Sequence, residues 1–472
     1  MRGMGSQMDV EASRLAGRRA RKVASRGSQA TWEAPVDRAD PVALIEEQNR
    51  TRVPELVPIR HGRMMASSLT FYRGAALIMA ADLATTPNSG LMTQLCGDAH
   101  LSNFGVFGTP ERSLVFDLND FDETSPGPWE WDLKRLATSF EIAGRHAGLS
   151  RSHRRKTTLA VTRAYREQMK TLARAPALEA WYDRLDADTA VKRIRSDRRA
   201  HRAGKRQVEA SEEVVAKART RDSMQAFSKL VSVTDGKMRF ISDPPLIEPL
   251  EDLVPDSETF ARVLGGIRDL VADYRATLPF QRHPIDDYEL VHIARKVVGV
   301  GSVGTRAWIL LLQGRDEHDP LVLQVKEAES SVLERYAGAS DYAHHGMRVV
   351  LGQRTMQAAT DIFLGWQRAD GIDGITRDFY VRQLRDWKGS VEVDAMRPAG
   401  ARIYAELCGQ TLARAHARSG DRVALAAYMG GSDRLDRAIA DFAAAYADQN
   451  DRDYAAFTSA IGSGRLQALA GI

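Results

Sequence analysis

Residues 96–105 read Cys96-Gly97-Asp98-Ala99-His100-Leu101-Ser102-Asn103-Phe104-Gly105, and an acidic turn, Asp120-Phe121-Asp122, follows. Few chemistries need a carboxylate, an amide five positions later and a second carboxylate before an aromatic. Phosphoryl transfer does: one carboxylate orients or deprotonates a hydroxyl, while an amide oxygen and another carboxylate hold Mg2+ on the phosphates. Asp98 is therefore the candidate base, Asn103 and Asp120 the candidate metal ligands, and Asp122 a further one. Asp117 competes with Asp120, because it directly follows the apolar run Leu114-Val115-Phe116.

Around this stretch the chain reads as mixed α+β. Leu91–Leu95 is a short strand into the Gly97-Asp98 turn, and Phe104–Phe107 with Leu114–Leu118 alternate like a hairpin. Leu133, Leu136, Ala137 and Phe140 fall on one helical face. Helices are expected over 150–172, 178–219 with a break near Gly204, 259–278, 346–359, 403–418 and 434–457. A hairpin is expected over 231–241 around Asp235-Gly236. Strands are expected within 290–312 and at 321–325, 362–366 and 379–384.

A second motif lies far downstream. Gly299-Val300-Gly301-Ser302-Val303-Gly304 is a GxGxxG match, and the strand-like Thr305–Leu312 follows it rather than a helix. Strand, glycine loop, strand suits backbone amides that approach phosphate oxygens closely. The next strand, Pro320–Lys326, ends in a lysine placed to hold phosphates. Glu327, Glu329 and Glu334 are candidates for its carboxylate partner, with Glu334 preferred; the helix over 346–359 contains no Glu.

The loop Gly97-Asp98-Ala99-His100-Leu101-Ser102-Asn103 resembles that of aminoglycoside-phosphotransferase-like and choline-kinase-like enzymes of the protein-kinase-like fold. His100 matches a loop histidine of those enzymes, whereas Cys96 stands where they carry another. They also place Asp-Leu-Ala about a dozen residues after the metal carboxylate. Asp132-Leu133 lies at that distance from Asp120, which favours Asp120 over Asp117 and makes Asp132 a brace for the loop. The resemblance implies ATP and Mg2+ as cofactors and a small-molecule hydroxyl acceptor. Separately, Arg73–Ala76, Cys96–Gly105, Phe116–Thr124 and Gly127–Ala137 resemble an uncharacterised bacterial family, domain of unknown function 2252.

In a kinase-like chain the glycine loop and lysine precede the catalytic loop; here they follow it. A circular permutation reconciles the order, and two unrelated domains would do so as well. On the permuted reading, residues 1–35 are a flexible basic arm and 36–285 hold the catalytic loop and helical large-lobe portion. Residues 286–395 form a small sheet lobe with a hinge near Leu384–Trp387, and 396–472 complete the large lobe. The expected fold is thus a two-lobed, permuted kinase-like α+β fold with a large helical elaboration.

The net charge of +4 counts against a nucleic-acid partner, although the arm and residues 192–206 are locally basic. Two cysteines, Cys96 and Cys408, and no apolar run of membrane-spanning length suit a cytoplasmic chain. The expected function is an ATP- and Mg2+-dependent phosphotransferase. AMP transfer at the same site and a non-catalytic nucleotide-binding regulator are the alternatives.

Overall fold

The computed structural model describes residues 9–199, 205–220, 223–234, 237–384, 389 and 397–472. The Asp235-Gly236 turn, the break near Gly204 and most of the hinge segment lie outside the described residues. The fold is mixed α+β, and among the described residues no helix is long and apolar enough to cross a membrane.

An antiparallel sheet of six strands runs in the order Gly365–Asp370, Thr376–Gln383, Pro320–Ala328, Ala307–Gln313, Glu289–Lys296, Ile247–Pro249. Pleat alternation divides the lysine strand between two faces. Leu321 and Leu323 pack with Tyr274, Ile293, Leu310 and Val381, against the helix Ser257–Ala276. Val322 packs on the other face with Ile309, Leu311 and the hairpin residues Met238 and Phe240. Lys326 shares the Val322 face, directly opposite Tyr380 in the register.

The larger core is helical. Glu130–His146, Arg151–Leu172, Pro398–Ser419 and Arg434–Gly462 enclose Leu133, Leu136, Phe140, Tyr165, Leu412 and Phe442. The strand Met92–Leu95 pairs with Ser125–Pro128, and Phe104–Gly108 pairs with Leu114–Leu118, so both arms of the acidic turn are tied down.

Two expectations change. Part of the supposed flexible arm, Val10–Val23, is a helix capped by Asp9. It buries Gly17 and Ala20, and Arg21 donates to the Tyr428 carbonyl at 2.8 Å on the helix Arg422–Met429. Its small buried face is hidden in sequence by the surrounding arginines. Phe71, Ala75, Ile78, Met79 and Leu83 repeat at helical spacing and read as one helix over 71–83, but the structure has two, Ser68–Gly74 and Ala76–Ala84, broken at Ala75.

Candidate functional site: a charged cavity between the catalytic loop and the glycine loop

Met92–Leu95 delivers the chain into the turn at Gly97, whose φ of +85° is a left-handed value suited to glycine. A Cβ there would also lie 2.2 Å from the Glu123 carbonyl oxygen. Asp132, buried at the start of the next helix, takes the Cys96 and Gly97 amides at 2.8 and 3.1 Å and lies 3.2 Å from His416 Nε2. Asp132 is thus the brace its spacing predicted. Cys96 contributes its amide; its buried thiol is pushed well up by burial and by the charges of Asp132 and Asp98, so it is not a thiolate.

Asp98 Oδ1 accepts from Arg135 at 2.5 Å, and His100 Nε2 lies 3.7 Å from Oδ2. Burial raises the Asp98 pKa, with Arg135 pulling against it. His100 is held neutral: burial, then Arg73 and Arg135, lowers it far below the usual range. Asn103 spends its amide nitrogen on the Asp98 carbonyl at 2.8 Å, which leaves Oδ1 as a ligand oxygen.

The Asp120–Asp122 turn follows the strand Leu114–Leu118, with Phe121 buried between the two carboxylates. Asp122 accepts from Lys326 Nζ and, at 2.5 Å, from the Tyr380 hydroxyl. Burial would raise its pKa, but Lys326 and Tyr380 outweigh burial and hold it low. Lys326 is raised in turn by Asp122, then Tyr380 and Asp120, despite its burial. Among the described residues Asp120 receives the Asp122 amide alone, at 3.4 Å, and its pKa is raised by desolvation and by the neighbouring Asp122 charge.

Asp98, His100, Asn103, Asp120 and Asp122 line one cavity of about 430 Å3, together with Gly299, Gly301 and Ser302. Residues of the two motif sets, far apart in sequence, therefore line one cavity. The glycine loop is fastened from outside: Arg63 donates to the Gly299 carbonyl at 2.6 Å, Val53 to Gly304 at 2.8 Å, and Arg52 to Val303. Gly304 stands outside the lining and packs on Arg52.

One family model, described as an uncharacterised protein conserved in bacteria, matches residues 52–460. The chain belongs to the DUF2252 family. No curated protein and no solved structure matches it.

In this DUF2252 chain Asp117 is buried away from the cavity and accepts from the Ala358 amide at 3.3 Å, so Asp120 is the metal candidate. Glu334 is not the partner of Lys326. It caps the Ser331 and Ser340 amides at 3.0 and 3.2 Å and lies 3.5 Å from Arg348 Nε. The lysine pairs with Asp122 instead, and the helix His345–Met356, which contains no Glu, carries Arg348. Arg348 binds the carbonyls of Asp122, Thr124 and Glu329, which fixes the acidic turn to that helix.

Sequence reading missed Arg135, Tyr380, Arg348 and Glu123. Only Tyr380 carries a signal, its cross-strand register with Lys326. Glu123 lines the cavity, accepts from the Val332 amide at 2.7 Å, and is pushed up to about 7 by burial.

Among the described residues no three His, Cys, Asp or Glu side chains cluster tightly enough to hold a metal. The ligand set present is Asp120, the Asn103 amide and Asp122, the last engaged by Lys326. Such a partial set suits Mg2+, which takes one or two carboxylates and completes its shell with phosphate oxygens and water. A larger cavity of about 660 Å3 lies on the opposite face of the sheet; Val263, Ile267, Leu310, Leu323 and Val381 make it mostly apolar, with Gln367, Asp370 and Asp373 also in its lining.

Proposed function

We propose that this DUF2252 chain is an ATP- and Mg2+-dependent phosphotransferase with a permuted kinase-like arrangement, acting on the hydroxyl of a small-molecule acceptor. The observation that carries the reading is the ion pair between Lys326 and Asp122, 204 residues apart: Lys326 lies behind the lining, and Asp122 lines the cavity with Asp98 and Gly299–Ser302. Few other activities need a lysine strand, a glycine loop and a Gly-Asp-x-His-x-x-Asn loop around one space.

The roles follow from the chemistry. Asp98 takes the proton of the acceptor hydroxyl while Arg135 fixes its orientation. The acceptor oxygen bonds to the γ-phosphorus, and the bond to the β–γ bridging oxygen breaks to release ADP. Asn103 and Asp120 would hold Mg2+, which neutralises the phosphate oxygens. Lys326 releases Asp122 in part as phosphate arrives, and Gly299, Gly301 and Ser302 cover it.

Calorimetric titration of ATP with Mg2+ tests this. The wild type is expected to bind, and Asp120→Ala and Lys326→Ala to bind far more weakly. Equal binding in all three, or none in the wild type, refutes it. Mass spectrometry of the product separates gain of phosphate from gain of adenylate.

A further inference from the structure

Arg60, on the helix Val57–Met65, is fully buried and lines the same cavity. Its guanidinium donates to Asn49 Oδ1 at 2.7 Å, Gln48 Oε1 at 3.1 Å and the Gly74 carbonyl at 3.0 Å. All three acceptors are neutral, and its Nε is buried with no acceptor. Among the described residues none of its hydrogen bonds is to an acidic side chain, and Arg52 repels it. Arg52 also has Nη1 on a neutral acceptor, the Val303 carbonyl, and Nε buried without an acceptor among the described residues. Glu329, Glu123, Glu327 and Asp122 act on Arg52 through space, and none is bonded to it.

A guanidinium buried among neutral acceptors is costly, and a chain tolerates one where a ligand supplies the counter-charge. The wall lies next to the chemistry. The Gly74 carbonyl held by Arg60 follows Tyr72, whose carbonyl accepts from Arg135 at 3.1 Å, and Arg135 is the Asp98 partner.

We propose that the acceptor carries an anionic group, a carboxylate or a phosphate, which binds at Arg60 and Arg52 while its hydroxyl meets Asp98. This rests on the phosphotransferase reading. Planar guanidinium forks suit both anions.

The test uses the full chain with inorganic phosphate and with acetate, titrated by calorimetry at constant ionic strength, with and without saturating Mg2+ and a non-hydrolysable ATP analogue. One of the two anions is expected to bind the nucleotide complex saturably, and which one binds names the group. Arg60→Gln should weaken that binding about tenfold or more, the scale of a lost charge-assisted hydrogen bond. Arg60→Lys should retain most of it. Because Arg60 is buried, the part-exposed Arg52→Gln is measured beside it, with circular dichroism to show that each variant folds. Binding of neither anion to the nucleotide complex, unchanged binding in folded variants, or displacement of the anion by the nucleotide overturns the proposal. A wild type that fails to bind the nucleotide refutes the phosphotransferase reading itself, whatever the anions do.

Discussion

Replacing Lys326 by Met removes a charge while keeping a long side chain of similar volume, so the change isolates the ion pair. Lys326 is 3% exposed and Asp122 30%. Losing one partner of a fully buried pair costs about 3–5 kcal/mol, because the other charge is left uncompensated. Asp122 opens onto the cavity and keeps the Tyr380 hydroxyl, so the expected loss at neutral pH is about 2–4 kcal/mol. The pH dependence has a definite sign. In the wild type the Asp122 pKa is depressed, so its contribution is present above the unfolded value and lost as pH falls through the folded one. Without Lys326, burial and the Asp120 charge dominate and raise it. The variant is then least harmed near pH 4 and progressively more harmed toward pH 7. Urea unfolding of both proteins from pH 4 to 8 measures this. Asp122→Asn added to Lys326→Met should recover part of the loss. A variant within about 1 kcal/mol of wild type at pH 7, or a gap that shrinks as pH rises, refutes the ion-pair reasoning.

Asp132→Ala should cost about 2–4 kcal/mol in urea unfolding, because it strands two buried amides and the His416 ring. Glu334→Gln should leave ATP affinity within about twofold in calorimetry, since its partners are backbone amides and Arg348 rather than Lys326. Glu123 has a raised folded pKa of about 7, so wild-type stability should fall as pH rises from about 5 to 8, and Glu123→Gln should flatten that slope in a thermal-melt series.

What the sequence made legible was local. Ten residues around Asp98 suggest a chemistry through residue type and spacing, and the Asp132 brace follows from its distance after Asp120, as in the enzymes the loop resembles. The sheet strands from 289 to 383 were readable from β-branched and apolar runs, with ends that moved by a few residues. The partner of Lys326 was not readable. It depends on a contact between residues 204 positions apart, which no local pattern reports. Arg60 lay beyond sequence reading for another reason: its meaning comes from what it lacks, a carboxylate, and only packing reveals that. The helix Val10–Val23 was hidden because average composition reports its exposed arginines, whereas Gly17 and Ala20 decide where it docks.

The chain order also has a consequence for how the site is held. The helix Pro398–Ser419 follows the sheet in sequence, yet it forms the floor of the loop at 96–105. Tyr404 donates its hydroxyl toward the Leu101 and Phe104 carbonyls at 2.7 and 3.1 Å. His416, 3.2 Å from Asp132, sits between that brace and the Tyr165 hydroxyl at 2.8 Å. Asp98 and Asn103 thus come from the first third of the chain, Lys326 from the second half, and the support beneath the loop from the last eighty residues. Contacts of such sequence separation form late and together, because each closes a long loop before it is rewarded. The lysine pair and the loop floor belong to different segments, so loosening Pro398–Ser419 would displace Asp98 while leaving Lys326 paired with Asp122. On the proposed phosphotransferase reading, nucleotide binding and phosphoryl transfer are therefore expected to be separable, with the helix Pro398–Ser419 governing the second.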